Sequence, residues 1–266
     1  MHPETRALLM TGSFLLATAC AQGSPSVPYE PAPPVNALGP RELQEGTWVY
    51  RVGRQGGTTH LSTYSLERVG SGPQAEWRSV TSRNTTNARG FADTVYYAAD
   101  GLMPLRQALH ISREGRDRWV VRSTFGRDRV NTVSDYLGYR DAPPQRRTSS
   151  VQLPGDGGPM VLAVHDPALG VFLRRLPLAA GWVGSFRVGP LGDGSFREKS
   201  LRVEAEETVE VPAGVFDCWR LTMSDPISGD QQLWVTQTGQ LLVRSVLGTG
   251  GRGLESVLVS FNSAGE

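Results

Sequence analysis

The chain has little cysteine, since Cys20 and Cys218 are the only two in 266 residues. Two thiols are too few for an iron–sulfur cluster or for a structural zinc ion ligated by cysteines. If Cys20 carries the lipid discussed below, Cys218 has no partner within the chain and no intramolecular disulfide can form. Cysteine-based cross-links and metal centres are therefore not expected.

An excess of one charge is also lacking. The 27 Lys and Arg residues balance 26 Asp and Glu residues, which leaves a net charge of +1. No strong field would draw the protein to nucleic acid or to an acidic surface, so nucleic acid is not an expected partner. Lys199 is the only lysine, and this dominance of arginine indicates codon bias rather than a binding patch.

Long hydrophobic runs are missing as well. The most apolar run extends from Ala7 to Ala19, which is shorter than the ~20 apolar residues that cross a bilayer. Its length fits the hydrophobic part of a secretory signal. Small residues then lead directly into a cysteine, in the order Ala17-Thr18-Ala19-Cys20. This pattern is typical of the site that a bacterial lipoprotein signal peptidase cuts, although Leu is commoner at the position of Ala17.

We therefore predict that residues 1–19 are a lipoprotein signal peptide and that Cys20 is the lipidation site of the mature chain. The alternative is an ordinary secretory signal, which would need no cysteine at this position. Several acyl chains on Cys20 would anchor the protein stably in the cell envelope. We expect the outer membrane, with the protein facing the periplasm, so the membrane is the first predicted partner.

What the chain has in abundance is proline, glycine and alternating apolar residues. Prolines crowd residues 20–43, which predicts an extended, semi-rigid tether. From residue 44 to 266 apolar and polar residues alternate with a period of two between glycine-rich turns, as in Trp48-Val49-Tyr50. This pattern predicts one β-rich domain of antiparallel strands.

One short helix is predicted near residues 166–176. Pro167 suits a first helical position. The doublet Arg174-Arg175 falls on the polar side of this helix, where we expect a solvated helix end, with contact to lipid headgroups as the alternative. The apolar face has i, i+3, i+4, i+7 spacing and consists of Leu169, Phe172, Leu173 and Leu176.

Two stretches of the domain look like weak copies of two others. Trp48–Gly53 resembles Trp182–Gly189, and Val95–Arg106 resembles Leu233–Arg244, in the same order and with similar spacing. The likeness predicts a pseudo-repeat, while shared turn placement between unrelated β-meanders is the alternative. The predicted fold is thus mainly β, a curved antiparallel sheet or half-barrel of two similar meanders, with halves at 44–139 and 177–266.

The clearest motifs lie between residues 173 and 244. An Arg-x-Leu-Pro-Leu element begins at Arg174, a Val-Pro-Ala-Gly-x-Phe-Asp turn begins at Val211, and a strand centred on Trp234 leads back to Arg244. In order and spacing these motifs resemble the bacterial envelope family known as domain of unknown function 3108. The resemblance implies a curved antiparallel sheet around an internal helix, as in the carriers that ferry lipoproteins. It transfers no catalytic residue.

Direct signs of catalysis are weak. After the signal the histidines are His60, His110 and His165, and no Gly-x-Ser-x-Gly elbow presents a serine nucleophile. The histidines also lack the i, i+4 spacing of a helical zinc pair. We therefore predict no catalytic residue, no metal site and no cofactor.

Two further groups of residues have a chemical and a plain interpretation. One strand is acidic and could supply a general acid and a general base. We expect instead that it forms a solvated strand face with arginine partners. The acidic residues are Glu204, Glu206, Glu207 and Glu210. Cys218 could be reactive, yet the strand around it predicts a buried thiol with a raised pKa. The six tryptophans either fill a core or line a groove for an apolar ligand.

The predicted function is a non-enzymatic binding or scaffolding module of the envelope, with an apolar ligand as one form of it. The alternative is a purely structural lipoprotein that docks on protein partners, and a hydrolase comes third. A carrier requires an apolar cavity, and a scaffold requires a filled core with an exposed apolar patch. A hydrolase requires a histidine within hydrogen-bond reach of a serine or a carboxylate. The ligand-binding residues are left open by the sequence.

Overall fold

The computed structural model describes residues 33, 43–54, 57, 59–84, 89–99, 103–138, 143–153, 160–161, 166–189, 196–224, 229–248 and 253–263. All of them lie in the unit Pro31–Glu266. The predicted signal peptide and Cys20 fall outside the described residues, as does the predicted tether apart from Pro33 and Leu43. The lipid anchor and the tether therefore stay predictions.

A single sheet of fifteen strands dominates the described part of the chain. Most strands alternate buried and more exposed residues, as the period-two pattern predicts. The strands are β1 (Gly46–Arg54), β2 (Thr59–Val69), β3 (Glu76–Asn84), β4 (Arg89–Ala98), β5 (Pro104–Arg113), β6 (Arg116–Phe125), β7 (Arg129–Tyr136), β8 (Gln145–Gln152), β9 (Met160–Val161), β10 (Val183–Val188), β11 (Arg197–Val211), β12 (Gly214–Ser224), β13 (Gln231–Thr236), β14 (Leu242–Leu247) and β15 (Leu254–Ser263).

The order of strands across the sheet is β8-β7-β6-β5-β4-β3-β2-β1-β15-β14-β13-β12-β11-β10-β9. Neighbours are antiparallel, except that β9 runs parallel to β10. The first and last strands meet in the middle, where β1 pairs with β15. The described sheet is open, with β8 and β9 at its edges. The prediction of a mainly β fold with one curved antiparallel sheet and one short helix is confirmed.

The turn between β11 and β12 follows from the motif that begins at Val211. Gly214 has φ +138°, a conformation that residues with a Cβ rarely adopt. Pro212 fixes its own φ at a value that suits the turn. The pair of long strands that this turn connects folds back onto the middle of the sheet, where Ala213 N donates to Leu258 O at 3.3 Å.

The helix α1 (Asp166–Leu173) is three residues shorter than predicted. Beyond it the backbone tightens, because Arg175 N donates to Phe172 O at 3.0 Å and Leu176 N donates to Leu173 O at 3.2 Å. Pro177 then prevents continuation. The predicted apolar face is nevertheless buried, from Leu169 to Leu176. In the described residues no helix is both long and apolar enough to cross a membrane.

The face of the sheet that packs on α1 is called the inner face below. In the C-terminal half (β9–β15) this face forms a dense aliphatic core with the helix, which includes Phe172, Leu173, Leu221 and Leu233. A second cluster lies at the middle of the sheet around Trp48. A smaller third cluster around Val95 belongs to the N-terminal half (β1–β8).

The proposed repeat can be placed on this sheet. Trp48 lies in β1 and Trp182 directly precedes β10. The other two similar stretches lie in the hairpins β4–β5 and β13–β14, which begin three strands after β1 and β10 respectively. The matching strand count agrees with the predicted pseudo-repeat, which stays a prediction.

Candidate ligand-binding face

The inner face of the N-terminal half differs in chemistry from that of the C-terminal half. Side chains of directly paired residues share one face of a sheet, so the pairing defines rows that run across β4, β5, β6 and β7. These three inner rows are Phe91-Ile111-Trp119-Tyr136, Asp93-Leu109-Val121-Ser134 and Val95-Gln107-Ser123-Thr132. The first row is aromatic and aliphatic, and the other two mix apolar residues with hydroxyl, amide and carboxylate groups.

Burial along the row of Asp93 decreases toward the edge of the sheet. The row of Asp93 continues inward to Trp48 in β1 and outward to Arg147 in β8. Trp48 is buried, Leu109 is half-buried and Arg147 is exposed. Trp119 in the aromatic row is 43% exposed. The inner face is therefore accessible toward β6 and β8.

Asp93 is the buried carboxylate of this face, with 7% exposure. The Gln107 amide donates to both of its oxygens at 3.0 Å. Burial raises the pKa of Asp93 to about 6, against the opposing effect of the Gln107 hydrogen bonds. No cation is paired with Asp93 among the described residues, so the carboxylate keeps capacity to accept hydrogen bonds.

Two buried tyrosines, Tyr64 in β2 and Tyr97 in β4, share the inner face with Asp93. Burial raises the pKa of Tyr64 and of Tyr97 far above their usual value, so both are neutral phenols. An interaction with the Ser79 hydroxyl lowers the pKa of both tyrosines and so counteracts part of the effect of burial. Ser79 therefore lies near both tyrosine rings. The Tyr64 hydroxyl itself makes no hydrogen bond of good geometry. The inner face thus contains buried polar groups that are incompletely satisfied by the protein.

Arg174 corrects the sequence-based expectation of a solvated helix end. Because α1 ends at Leu173, Arg174 points inward and is only 8% exposed. Its guanidinium carbon lies 4.1 Å from the centre of the Trp48 ring, and Nη1 donates to Gln44 O at 3.3 Å. Burial lowers the pKa of Arg174, while Tyr64 and Tyr50 counteract that shift. Sequence reasoning missed this position because the helical period placed it on the polar side.

The histidines occupy separate places. His110 Nδ1 lies 2.9 Å from Asp117 Oδ2 on the outer face, where both side chains are partly exposed. This pair meets the geometric requirement stated for the hydrolase alternative, since Asp117 is a carboxylate, while no hydrogen bond joins His110 to a serine within the described residues. Burial and the charge of Arg83 lower the pKa of His60, and His165 lies outside the described residues. No group of three potential metal ligands occurs in the described ranges.

The acidic strand β11 has the plain role that the sequence predicted. Glu207 lies 3.0 Å from Arg220 Nε and accepts a hydrogen bond from Trp234 Nε1 at 2.8 Å. Glu206 accepts one from Gln237 Nε2 at 3.1 Å. These carboxylates therefore have cross-strand partners and form no isolated acid–base pair.

Cys218 is fully buried, which confirms the prediction for this thiol. Its Sγ donates to Phe216 O at 3.5 Å. Burial, followed by the charges of Asp217 and Glu207, raises the pKa of Cys218 to about 12. The thiolate is thus scarce at neutral pH and the residue is a small core side chain.

The tryptophans do not line one groove. Trp48 and Trp234 are buried near the middle of the sheet, and Trp182 and Trp219 pack against the C-terminal core. Trp77 is half-buried between two clusters. Trp119 alone among the six is classed as exposed, and it lies in the aromatic inner row. The tryptophan pattern therefore points to that row as the accessible surface.

Comparison with known proteins places this fold. The model of the family "Protein of unknown function (DUF3108)" matches residues 49–254. The chain belongs to this family. The match confirms the resemblance noted for residues 173–244 and extends it through the N-terminal half. No curated protein matches the chain.

A solved structure shares the architecture. The chain is similar to the crystal structure of a beta-barrel-like protein of domain of unknown function DUF1849 from Brucella abortus, with a TM-score of 0.52. The sequence identity is 11%, and the match covers 86% of this chain and 100% of that one. At this identity the likeness concerns the fold alone. Neither description names a ligand or an activity, so the functional argument depends on the residues of the inner face.

Proposed function

We propose that this protein is a lipid-anchored, non-enzymatic binding module of the cell envelope, and that its ligand lies on the inner face of the N-terminal half. The ligand class is amphipathic, with an apolar chain and a polar end. The anchor is the acylated Cys20, which holds the module at the outer membrane.

The observation that carries this proposal is the exposure of Trp119 on the inner face. In the C-terminal half, α1 and its surrounding leucines fill the corresponding space. On the N-terminal half, Trp119 lies beside Ile111 and Tyr136, and the next row adds Leu109 and Val121. Aromatic and aliphatic groups next to a few polar ones are the usual lining of a small-molecule site.

The scaffolding alternative has less support from the described surface. A protein-docking site needs a contiguous exposed apolar patch. The most exposed large apolar side chains are Val215 in β12 and Leu61 in β2, and Leu61 lies on the opposite face from Trp119. They are single exposed residues on separate elements, whereas the inner rows form a continuous surface.

The ligand proposal is tested with the full chain carrying Cys20→Ser, which removes the acylation site. We expect native mass spectrometry to detect a co-purified ligand, and Trp119→Ala to reduce its occupancy severalfold. Leu61→Ala is the matched control, because it removes an exposed apolar side chain from the outer face. Equal occupancy in both variants would exclude the Trp119 surface, and absence of any ligand or of binding to added oleyl alcohol would favour the scaffold.

The anchor is tested separately in cells. We expect metabolic labelling with a palmitate analogue to mark the unmodified sequence and not Cys20→Ser, because the thiol is the acylation site. Fractionation should release the variant from the membrane. Unchanged labelling of the variant would contradict the lipoprotein prediction and leave the ligand proposal unaffected.

A further inference from the structure

Arg174 is a buried cation without a carboxylate partner in the described residues. A buried charge is costly unless it is paired or fully hydrogen-bonded. A guanidinium has five N–H donors, and here the protein provides the Gln44 carbonyl and the face of the Trp48 ring. Most of the donors of this guanidinium therefore have no acceptor in the described part of the protein.

Tyr64 is an independent observation beside it. Its side chain is 2% exposed, and its hydroxyl makes no hydrogen bond of good geometry, although the Ser79 hydroxyl lies near it. Tyr64 pairs directly with Trp48 across β1 and β2, and the two ring centres are 5.4 Å apart. Arg174 and Tyr64 act on each other electrostatically. A hydroxyl without a hydrogen bond of good geometry and a guanidinium with one hydrogen-bond acceptor among the described residues thus lie next to the same indole ring.

Both groups are hydrogen-bond donors, and their shared acceptor would be an oxyanion. A guanidinium binds carboxylate and phosphate with two parallel hydrogen bonds, which are stronger than neutral ones. Asp93 does not fill this role, because it lies two strands from Tyr64, roughly 10 Å at the usual strand spacing. The position of the oxyanion is therefore left to a ligand.

We propose that Arg174 and Tyr64 bind the carboxylate or phosphate end of an amphipathic ligand whose apolar part lies along Leu109, Val121 and Trp119. This inference rests on the proposed function and specifies the ligand of the same face. The row from Tyr64 to Val121 crosses four strand spacings, roughly 19 Å along the sheet. That length suits an extended chain rather than a compact ion.

A purely structural role for Arg174 gives different expectations. The side chain could simply fix the end of α1 to β1 through the Trp48 ring. In that case removing the charge would change the stability of the protein and would not discriminate between charged and neutral ligands. Arg174→Met retains most of the aliphatic stem on the indole, and Tyr64→Phe removes one hydroxyl alone.

The experiment uses the full chain with Cys20→Ser, stripped of bound lipid, and calorimetric titration with oleate, oleyl alcohol and inorganic phosphate. We expect Arg174→Met to weaken oleate binding about tenfold or more, because a charged donor is lost, and Tyr64→Phe about fivefold, because one hydrogen bond from a neutral donor is lost. Binding of oleyl alcohol should be unchanged. The control is Arg175→Met, which removes the neighbouring half-buried arginine and should leave all three titrations unchanged.

The outcomes separate this inference from the proposed function. If both variants bind oleate as the parent does, or lose oleate and oleyl alcohol equally, the oxyanion site is wrong while the binding face stands. If phosphate binds through Arg174 and neither chain binds, the oxyanion site is supported and the amphipathic ligand is wrong. Absence of all binding would overturn both. Should Arg174→Met not fold, Tyr64→Phe decides by the same criteria.

Discussion

The two halves of the sheet have similar strand pairing and differ in what covers the inner face. In the C-terminal half, Leu221 and Leu233 are fully buried against α1. In the N-terminal half, the corresponding surface has Asp93, Gln107 and Ser123. Antiparallel pairing satisfies the backbone in both halves, and it does not require an apolar filling. The difference teaches that the same backbone pairing supports two inner faces of different chemistry, one aliphatic and covered by α1, the other with polar groups among its apolar ones.

The energetics of apolar burial also differ between the two halves. Burial of apolar surface contributes roughly 25 cal/mol per Å², so the leucine-rich half gains most from this source. The outer face of the N-terminal half has exposed ion pairs such as Arg106–Glu76 and Arg146–Asp135, which are worth little individually. The N-terminal half therefore gains less stability from apolar burial than the C-terminal half does.

The largest effect is expected from a matched pair of leucine truncations. Leu221→Ala should lower the free energy of unfolding by about 2–5 kcal/mol, because it opens a cavity in the packed core. Leu109→Ala, on the half-buried inner row, should cost about 1 kcal/mol. Urea unfolding followed by tryptophan fluorescence measures both. Equal losses would break the comparison between the halves.

A smaller effect is expected from the pH dependence of Asp93. Burial raises the pKa of Asp93 to about 6 in the folded state, whereas in the unfolded chain this carboxyl group has its ordinary pKa of 3.8. Unfolding therefore releases a proton between these values, so the free energy of unfolding falls as pH rises toward 6 and is level above it.

Asp93→Asn removes this titration and retains an acceptor for Gln107. We expect the variant to be more stable than the parent at pH 7 by about 3 kcal/mol, and nearly equal to it in stability near pH 4. The control Asp230→Asn, at an exposed position in the C-terminal half, should keep the pH dependence of the parent. Unfolding curves with parallel pH profiles for parent and Asp93→Asn would contradict the assigned burial.

The smallest change concerns thiols on the two halves. Cys218→Ala should cost about 1 kcal/mol, and the native thiol should react with a thiol reagent only after denaturant is added. A cysteine introduced on the inner face by Ser134→Cys, in a Cys20→Ser, Cys218→Ala background, should react in the native protein. Rapid native modification of Cys218, or protection of the introduced cysteine in ligand-free protein, would reverse the proposed contrast.

Much of the fold could be predicted from local patterns. The alternation around Trp48 and the turn at Gly214 indicate strands and a hairpin because both follow from backbone sterics and a period of two. The burial of Cys218 followed from the apolar residues on its own strand. The pairing of β1 with β15 could not be predicted in this way, since it joins residues that are more than two hundred positions apart.

The candidate binding face was less accessible to sequence reasoning. Asp93 and Gln107 lie on different strands, and neither belongs to a motif with a fixed spacing. Trp119 was one of six tryptophans with similar surroundings in the sequence. One signal in the sequence could have indicated this face. In β3 to β7 several of the alternate residues that share the inner face are polar, whereas a strand whose inner face is packed in a core has aliphatic residues at those positions.

The sequence by itself determined the strands, the turns, the apolar face of the short helix and the scarcity of cysteine chemistry, because each depends on neighbouring residues. Only the tertiary structure decided that the two halves present different inner faces and that Arg174 points inward. The helical period placed Arg174 on the solvent side, but the helix ends one residue before it. The guanidinium then lies against Trp48, more than a hundred positions earlier in the chain, and only the folded sheet brings these two residues together.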